Sequence, residues 1–170
     1  MRGTLLLAAA AFSTPAFVQG QPSQAEIEVT NAVDAFFAAL RSDDKTALAR
    51  TMVPEGVIFI HDRRDPANPS ITVRTVAEHV EGWKNSPTGT DEHMSYESVL
   101  IDGTMAHVWG SYAFLLNGET THCGVNSMSL NKTADGWKIS NTSFTMTALD
   151  ECYALGAPMH IKTIPEEARP

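Results

Sequence analysis

Apolar residues recur at helical spacing from Ser23 onward: Val29, Val33, Phe36, Phe37 and Leu40 fall on one stripe, while Glu28, Asn31, Asp34 and Arg41 fall off it. That period predicts a helix with one buried face. Ser23-Gln24-Ala25-Glu26 has the form of a capping box, in which a serine hydroxyl and a glutamate carboxylate satisfy free amides at the helix start. Ser42-Asp43-Asp44 then precedes a short second helix carrying Ala47, Leu48 and Met52. Val57 to Ile60 is β-branched and aromatic, so it predicts a first strand that delivers His61 at its end. Asp62 to Ser70 holds two prolines among polar residues and predicts a loop. Thr75-Val76-Ala77-Glu78 repeats the capping box, and Val76, Val80 and Trp83 form one face of a third helix.

From Glu92 onward four strand-like runs are separated by Asp102-Gly103, Asn117-Gly118 and Asp135-Gly136. These dipeptides supply the positive φ angles of tight hairpins, so three in succession predict an antiparallel meander. If the first two are two-residue turns, 101 faces 104 and 116 faces 119, and alternation sorts the side chains onto two faces. One face carries Tyr96, Ser98, Leu100, His107, Trp109, Ser111, His122, Asn126, Met128 and Leu130, and the last strand adds Ile139, Asn141 and Ser143. The opposite face carries Glu97, Val99, Ile101, Ala106, Val108, Tyr112, Phe114, Cys123, Val125, Phe144 and Met146. A bulge would exchange the two sets beyond it. Neither face is plainly a water face, so helices covering one side leave the other in need of a partner. The expectation is a homodimer through the face bearing Val108, Tyr112 and Phe114.

The first twenty residues follow a different pattern. Arg2, the apolar run Leu5 to Phe12, Pro15 and Val18-Gln19-Gly20 read as a cleavable secretory signal with a cut after Gly20. The run is too short for a membrane anchor. The expected organisation is a signal peptide over 1–20, one domain over 21–150 and a tail over 151–170, in a secreted or periplasmic protein. Lys and Arg number 12 against 20 Asp and Glu, and the lysines are scattered, which argues against nucleic-acid or anionic-membrane partners. The two cysteines, Cys123 and Cys152, belong to a chain that leaves a reducing compartment, where a disulfide is the default and two buried thiols are the alternative. No metal-ligand spacing appears among the six histidines, and the reading involves no cofactor.

The order helix, helix, strand, helix and long meander resembles the nuclear transport factor 2-like superfamily, the cone-shaped α+β fold shared with ketosteroid isomerase and SnoaL-like proteins. Ala106 to Phe114, His122-Cys123-Gly124-Val125-Asn126 and Asp135-Gly136-Trp137-Lys138-Ile139 look like a subgroup of uncharacterised small members. The resemblance implies N-terminal helices packed on a curved antiparallel sheet of four to six strands, a pocket inside the cone, and a cysteine just past the last strand, where Cys152 stands. With 134 paired to 137, Cys123 lies opposite position 148, and a turn after Leu149 brings Cys152 back within bridging distance.

The fold hosts isomerases, cyclases, dehydratases and binding modules alike, so function has to come from the site. The His107/Trp109/Asn126/Asn141 face is taken as the inner one. Its expected ligand-binding residues are Trp83, Tyr96, Trp109, Asn126, Asn141 and Ser143, an aromatic wall facing amides that suits a small, partly apolar ligand. No Asp or Glu falls on that face, which leaves His61, His107 and His122 as candidate acid–base groups. Two functions follow: a small-molecule-binding module, or a cofactor-free isomerase or lyase using a pocket histidine.

Overall fold

The computed structural model describes residues 21–160, so the expected signal peptide and the last ten residues of the tail lie outside the described residues. Helix α1 spans Gln24–Arg41 and buries the predicted stripe, with Val29 and Val33 fully covered. Its capping box is formed: Glu26 N donates to Ser23 Oγ and Ser23 N donates to the Glu26 carboxylate. The second predicted helix is a single 3-10 turn, Ala47–Arg50, preceded by Asp44, which accepts from Thr46 N. Helix α2, Val76–Trp83, carries the second capping box, between Thr75 and Glu78.

Seven strands form the sheet: β1 Val57–Asp62, β2 Ser70–Thr75, β3 Thr90–Met94, β4 Ser98–Asp102, β5 Met105–Leu116, β6 Glu119–Thr133 and β7 Gly136–Met146. Their order is β2-β1-β7-β6-β5-β3, with β4 also on β5. The fold class is the expected α+β cone, but the sheet exceeds four to six strands because the predicted loop ends in β2, which hairpins onto β1. It is also mixed, since β1 runs parallel to β7. Asn117 and Gly118 take φ of 54° and 80°, and Leu116 faces Glu119 as the turn chemistry requires. The first hairpin instead pairs Asp102 with Met105, two residues along from the expected register, which leaves the faces unchanged.

Three one-residue offsets do change the faces. Between β3 and β4 the pairing on β5 steps from Met94↔Tyr112 to Ser98↔Trp109. Between β5 and β6 it steps from Leu115↔Thr120 to Phe114↔His122, leaving Thr121 unpaired. Between β6 and β7 it steps from Leu130↔Ile139 to Ser129↔Asn141, leaving Ser140 unpaired. Each extra residue turns the following side chains to the other side and bends the strand, which lets the sheet curl around α1 and α2.

The expected faces are therefore corrected. The inner face carries Val99, Ile101, Val108, Tyr112 and Phe114 with His122, Asn126, Met128 and Leu130, and then Ile139, Thr142, Phe144 and Met146. Trp109, His107, Asn141 and Ser143 are on the outer face, where Trp109 is 43 % exposed. Val108 and Tyr112 are sealed under the helices, so the face expected to form a dimer is interior.

The Cys123–Cys152 disulfide is present, with Cα atoms 5.6 Å apart. Cys123 forms a β-bridge with Thr147 just past β7, and the turn Leu149–Glu151 returns Cys152 to it; the last hairpin closes on Thr133↔Gly136 rather than 134↔137, so Cys123 faces Thr147 and not position 148. Beyond it the tail runs back along the sheet: Ser111 Oγ donates to Gly156 O, and Thr120 N donates to His160 O.

Candidate functional site

The concave face and the helices enclose a cavity of about 200 Å³. Phe36 and Leu40 of α1, Met52 and Ile58 form one wall. His79 and Trp83 of α2 form the lid, and Tyr112, Phe114, Met128, Phe144 and Met146 cover the sheet side. The remaining lining is polar and confined to Glu92, His122, Asn126 and Thr142. A mostly apolar cavity with a few convergent polar groups is the usual form of a small-molecule site.

Glu92 reaches this cavity because β3 pairs with the second half of β5, which places Glu92 opposite Phe114 on the inner face. Alternation carried back from Ser98 and Leu100 would place it outside, and the offset at Ser95–Glu97 turns it in. Only 9 % of the residue is exposed. Asn126 Nδ2 donates to Glu92 Oε1 across 2.7 Å. Burial pushes the Glu92 carboxyl up to about 8; the Asn126 hydrogen bond opposes the rise and the negative charge of Asp91 adds to it. At neutral pH Glu92 is therefore a neutral carboxylic acid.

His122 faces the same cavity. Its ring stacks on Phe114 at 5.1 Å between centroids, and its Nδ1 lies 3.1 Å from Thr121 Oγ1. Desolvation lowers its pKa to about 4, with Arg64 lowering it further and Asp62 opposing. Thr121 Oγ1 also donates to Phe114 O, and when its proton is committed there Nδ1 must carry the imidazole hydrogen. Nε2 is then a bare acceptor, with no hydrogen-bond partner among the described residues. His79 is likewise shifted down by burial. Asp62, held to about 2 by its hydrogen bond from Arg64, pairs with the cavity residue Met146 across β1 and β7 and offsets part of the Arg64 effect on His122.

Tyr112 is not free to transfer a proton, since its hydroxyl donates to Thr145 O at 2.8 Å and burial raises its pKa. Trp83 Nε1 and Thr142 Oγ1 are buried without an acceptor or donor among the described residues. No group of three metal-ligating side chains occurs among the described residues.

Of the residues expected at the site, Trp83, His122 and Asn126 converge here. The others do not. His61, Trp109 and Ser143 meet instead in a shallow outer depression with Val125 and Ser127. Asn141 lies on the outer face and accepts from Val57 N. His107 sits on the outer face beside Leu100 and Met105. Tyr96 donates its hydroxyl to Asp34 of α1. Sequence reasoning missed Glu92 outright. The alternation Thr90-Asp91-Glu92-His93 was the available signal, but its pairing with β5 is not set by a hairpin turn.

Solved structures share this architecture at low identity. A protein of unknown function from Shewanella baltica, described as NTF2-like, is 14% identical, with 72% of this chain and 94% of that chain covered and a TM-score of 0.55. An NTF2-like protein of unknown function from Methylobacillus flagellatus is 16% identical over 75% of this chain and 97% of that chain, with a TM-score of 0.55. A protein of unknown function with a cystatin-like fold from Nostoc punctiforme is 10% identical over 71% and 90%, with a TM-score of 0.53. At these identities the likeness shows the fold alone. No curated protein matches the chain. Residues 21–143 match the SnoaL-like domain family, the larger part of the chain, and on that match together with the seven-stranded cone the chain belongs to the SnoaL-like domain family.

Proposed function

We propose that this SnoaL-like protein is exported and binds a small, neutral, mostly apolar molecule in the cone cavity. The observation that carries the reading is the buried Glu92–Asn126 pair set among apolar walls. Among the described residues no Lys, Arg or Asp lines the cavity, and its titratable members, Glu92, Tyr112, His122 and His79, are all shifted toward their neutral forms. An ion entering it would lose hydration without a counter-charge, whereas a neutral ligand with one polar end loses little. Export rests on the apolar run and cleavage pattern of residues 1–20 and agrees with a disulfide.

The test is native mass spectrometry of protein purified from the compartment into which it is exported. A bound species of defined mass, absent from Asn126→Leu, is expected. An empty cavity that also fails to bind any compound of a neutral fragment library would refute the reading. A chain confined to the cytoplasm and still beginning at Met1, rather than at Gln21, would refute the export step.

A second reading, cofactor-free isomerisation or elimination, is favoured by one observation. The cavity holds a protonated carboxyl, Glu92, and a neutral imidazole, His122, which is the acid–base pairing such chemistry requires at neutral pH. Turnover of the copurified molecule, lost in both Glu92→Gln and His122→Phe, would establish it.

A further inference from the structure

Within the Glu92–Asn126 pair each side chain spends one polar atom on the other, Asn126 Nδ2 donating to Glu92 Oε1 at 2.7 Å. Two atoms remain, Glu92 Oε2 and Asn126 Oδ1. Neither makes a hydrogen bond among the described residues, and neither is among the polar atoms sealed from any space, such as Trp83 Nε1 and Thr142 Oγ1. Both residues line the cavity, so these two atoms are what the pair offers to its contents. A neutral carboxyl presents Oε2–H as a donor and Asn126 Oδ1 as an acceptor. If the amide is turned over, the carboxyl hydrogen goes to Asn126 Oδ1, and Nδ2 becomes the donor with a carboxyl oxygen as the acceptor. Either arrangement shows the ligand one donor beside one acceptor.

Resting on the reading of the cavity as a small-molecule site, we propose that the Glu92–Asn126 pair is a two-point reader. It selects neutral molecules that carry a hydrogen-bond acceptor and donor on neighbouring atoms, as in a primary amide, a carboxylic acid in its neutral form or an α-hydroxycarbonyl. A ligand with an acceptor alone leaves Asn126 Oδ1 or its amide unpaired in an apolar space, and a site built for a hydrogen bond rejects the analogue that lacks it strongly. A cation fits only if Glu92 is ionised.

The selection depends on the Glu92 proton, and the groups around that carboxyl are few. Asp91 precedes it on β3, Tyr112 faces it from β5, Asn126 and His122 from β6, and His79 from α2. Two cations stand on that side: Lys45, whose Nζ is held by Leu40 O and Thr90 Oγ1 beside the Trp83 ring, and Arg41 of α1, which pairs with Asp91 at 2.7 Å. The cavity linings contributed by α1, β1 and β7 carry no titratable side chain.

The test titrates the purified protein with three ring compounds of nearly equal shape, followed by amide chemical shifts: benzamide, acetophenone and benzamidine. Benzamide carries the donor–acceptor pair, acetophenone only the acceptor, and benzamidine a charged pair of donors. At pH 6.5 benzamide should bind about ten-fold or more tighter than either of the others, with shifts centred on Glu92, Phe114 and Asn126. Its affinity should fall as pH passes about 8. In Glu92→Gln, whose amide keeps one donor and one acceptor without a titrating proton, benzamide should still bind and the pH dependence should vanish.

Equal binding of benzamide and acetophenone in the cavity would overturn the two-point reader while leaving the small-molecule site intact. Tightest binding by benzamidine would overturn it too, because the carboxyl would then be ionised. Failure of all three to bind at millimolar concentration would overturn the site itself and the inference with it.

Discussion

Asn126 Nδ2 donates to Glu92 Oε1 at 2.7 Å inside the cone, joining two side chains 34 residues apart and both nearly sealed from solvent. Breaking the pair from either side leaves a buried polar group without a partner. Asn126→Leu or Glu92→Leu alone should therefore lower stability by about 1–3 kcal/mol, and the double variant by less than the sum. Urea unfolding of the four proteins closes the cycle, and strict additivity would show that the two groups do not interact.

Stability should fall as pH rises from 6.5 to 8. Glu92 keeps its proton in the folded chain up to about pH 8, while an unfolded glutamate loses it near 4.5. The folded state thus binds more protons across that interval, and raising the pH favours unfolding until about pH 8. His122, lowered to about 4, and His79, also lowered by burial, act oppositely, an effect that fades as pH rises past 6.5. The other shifted carboxylates, such as Asp62 at about 2, are ionised in both states above pH 6. Melting temperatures from pH 6.5 to 8.5 should decline in the natural protein and stay level in Glu92→Gln. A decline of the same size in both would assign the effect elsewhere.

Reduction should loosen the fold without redirecting it. The Cys123–Cys152 bridge closes a loop with a sequence separation of 29, and opening it frees the unfolded chain by on the order of 3 kcal/mol. Cys152→Ser should unfold at correspondingly lower urea. Thiol titration of denatured, unreduced protein should find no free cysteine in the natural chain, and two free thiols would contradict the bridge.

With Val108 and Tyr112 buried, the outer face is the expected surface for self-association. One cross-strand row runs Ser98, Trp109, Ser127, Ser143, Phe59, Val73 over six strands without a charge. Trp109, Phe59 and Leu100 are 43 %, 40 % and 62 % exposed on that side. We expect a homodimer through this row, so Trp109→Glu should sediment as a folded monomer while the natural protein sediments as a dimer at micromolar concentration. A natural protein that is monomeric there would dispose of the interface.

Local order was legible from residue chemistry alone. Both capping boxes, the apolar stripe of α1 and the Asn117-Gly118 turn depend on neighbours within a few residues and formed where their side chains required, whereas the hairpins at the two Asp-Gly dipeptides close on Asp102↔Met105 and Thr133↔Gly136 rather than on 101↔104 and 134↔137. The disulfide was legible for a related reason, since hairpin arithmetic carried Cys123 to within one residue of its partner past β7, although the assumed pair 134↔137 is Thr133↔Gly136 in the structure. Period-two alternation also grouped His122 and Asn126 on the concave side.

What only the tertiary structure decided are the three one-residue offsets at Ser95–Glu97, Thr121 and Ser140. A bulge adds a single residue and flips everything after it, and nothing in the composition of a strand announces one. The offset at Thr121 puts Tyr112 and Phe114 inside and Trp109 outside. The one at Ser140 sends Asn141 and Ser143 out and brings Phe144 and Met146 in, while the one at Ser95–Glu97 turns Glu92 inward. These offsets arise because a sheet that wraps around two helices must bend, and the bend is a property of the packed whole. The acidic residue that gives the cavity its chemistry was therefore visible as a letter in the sequence but not as a member of the site.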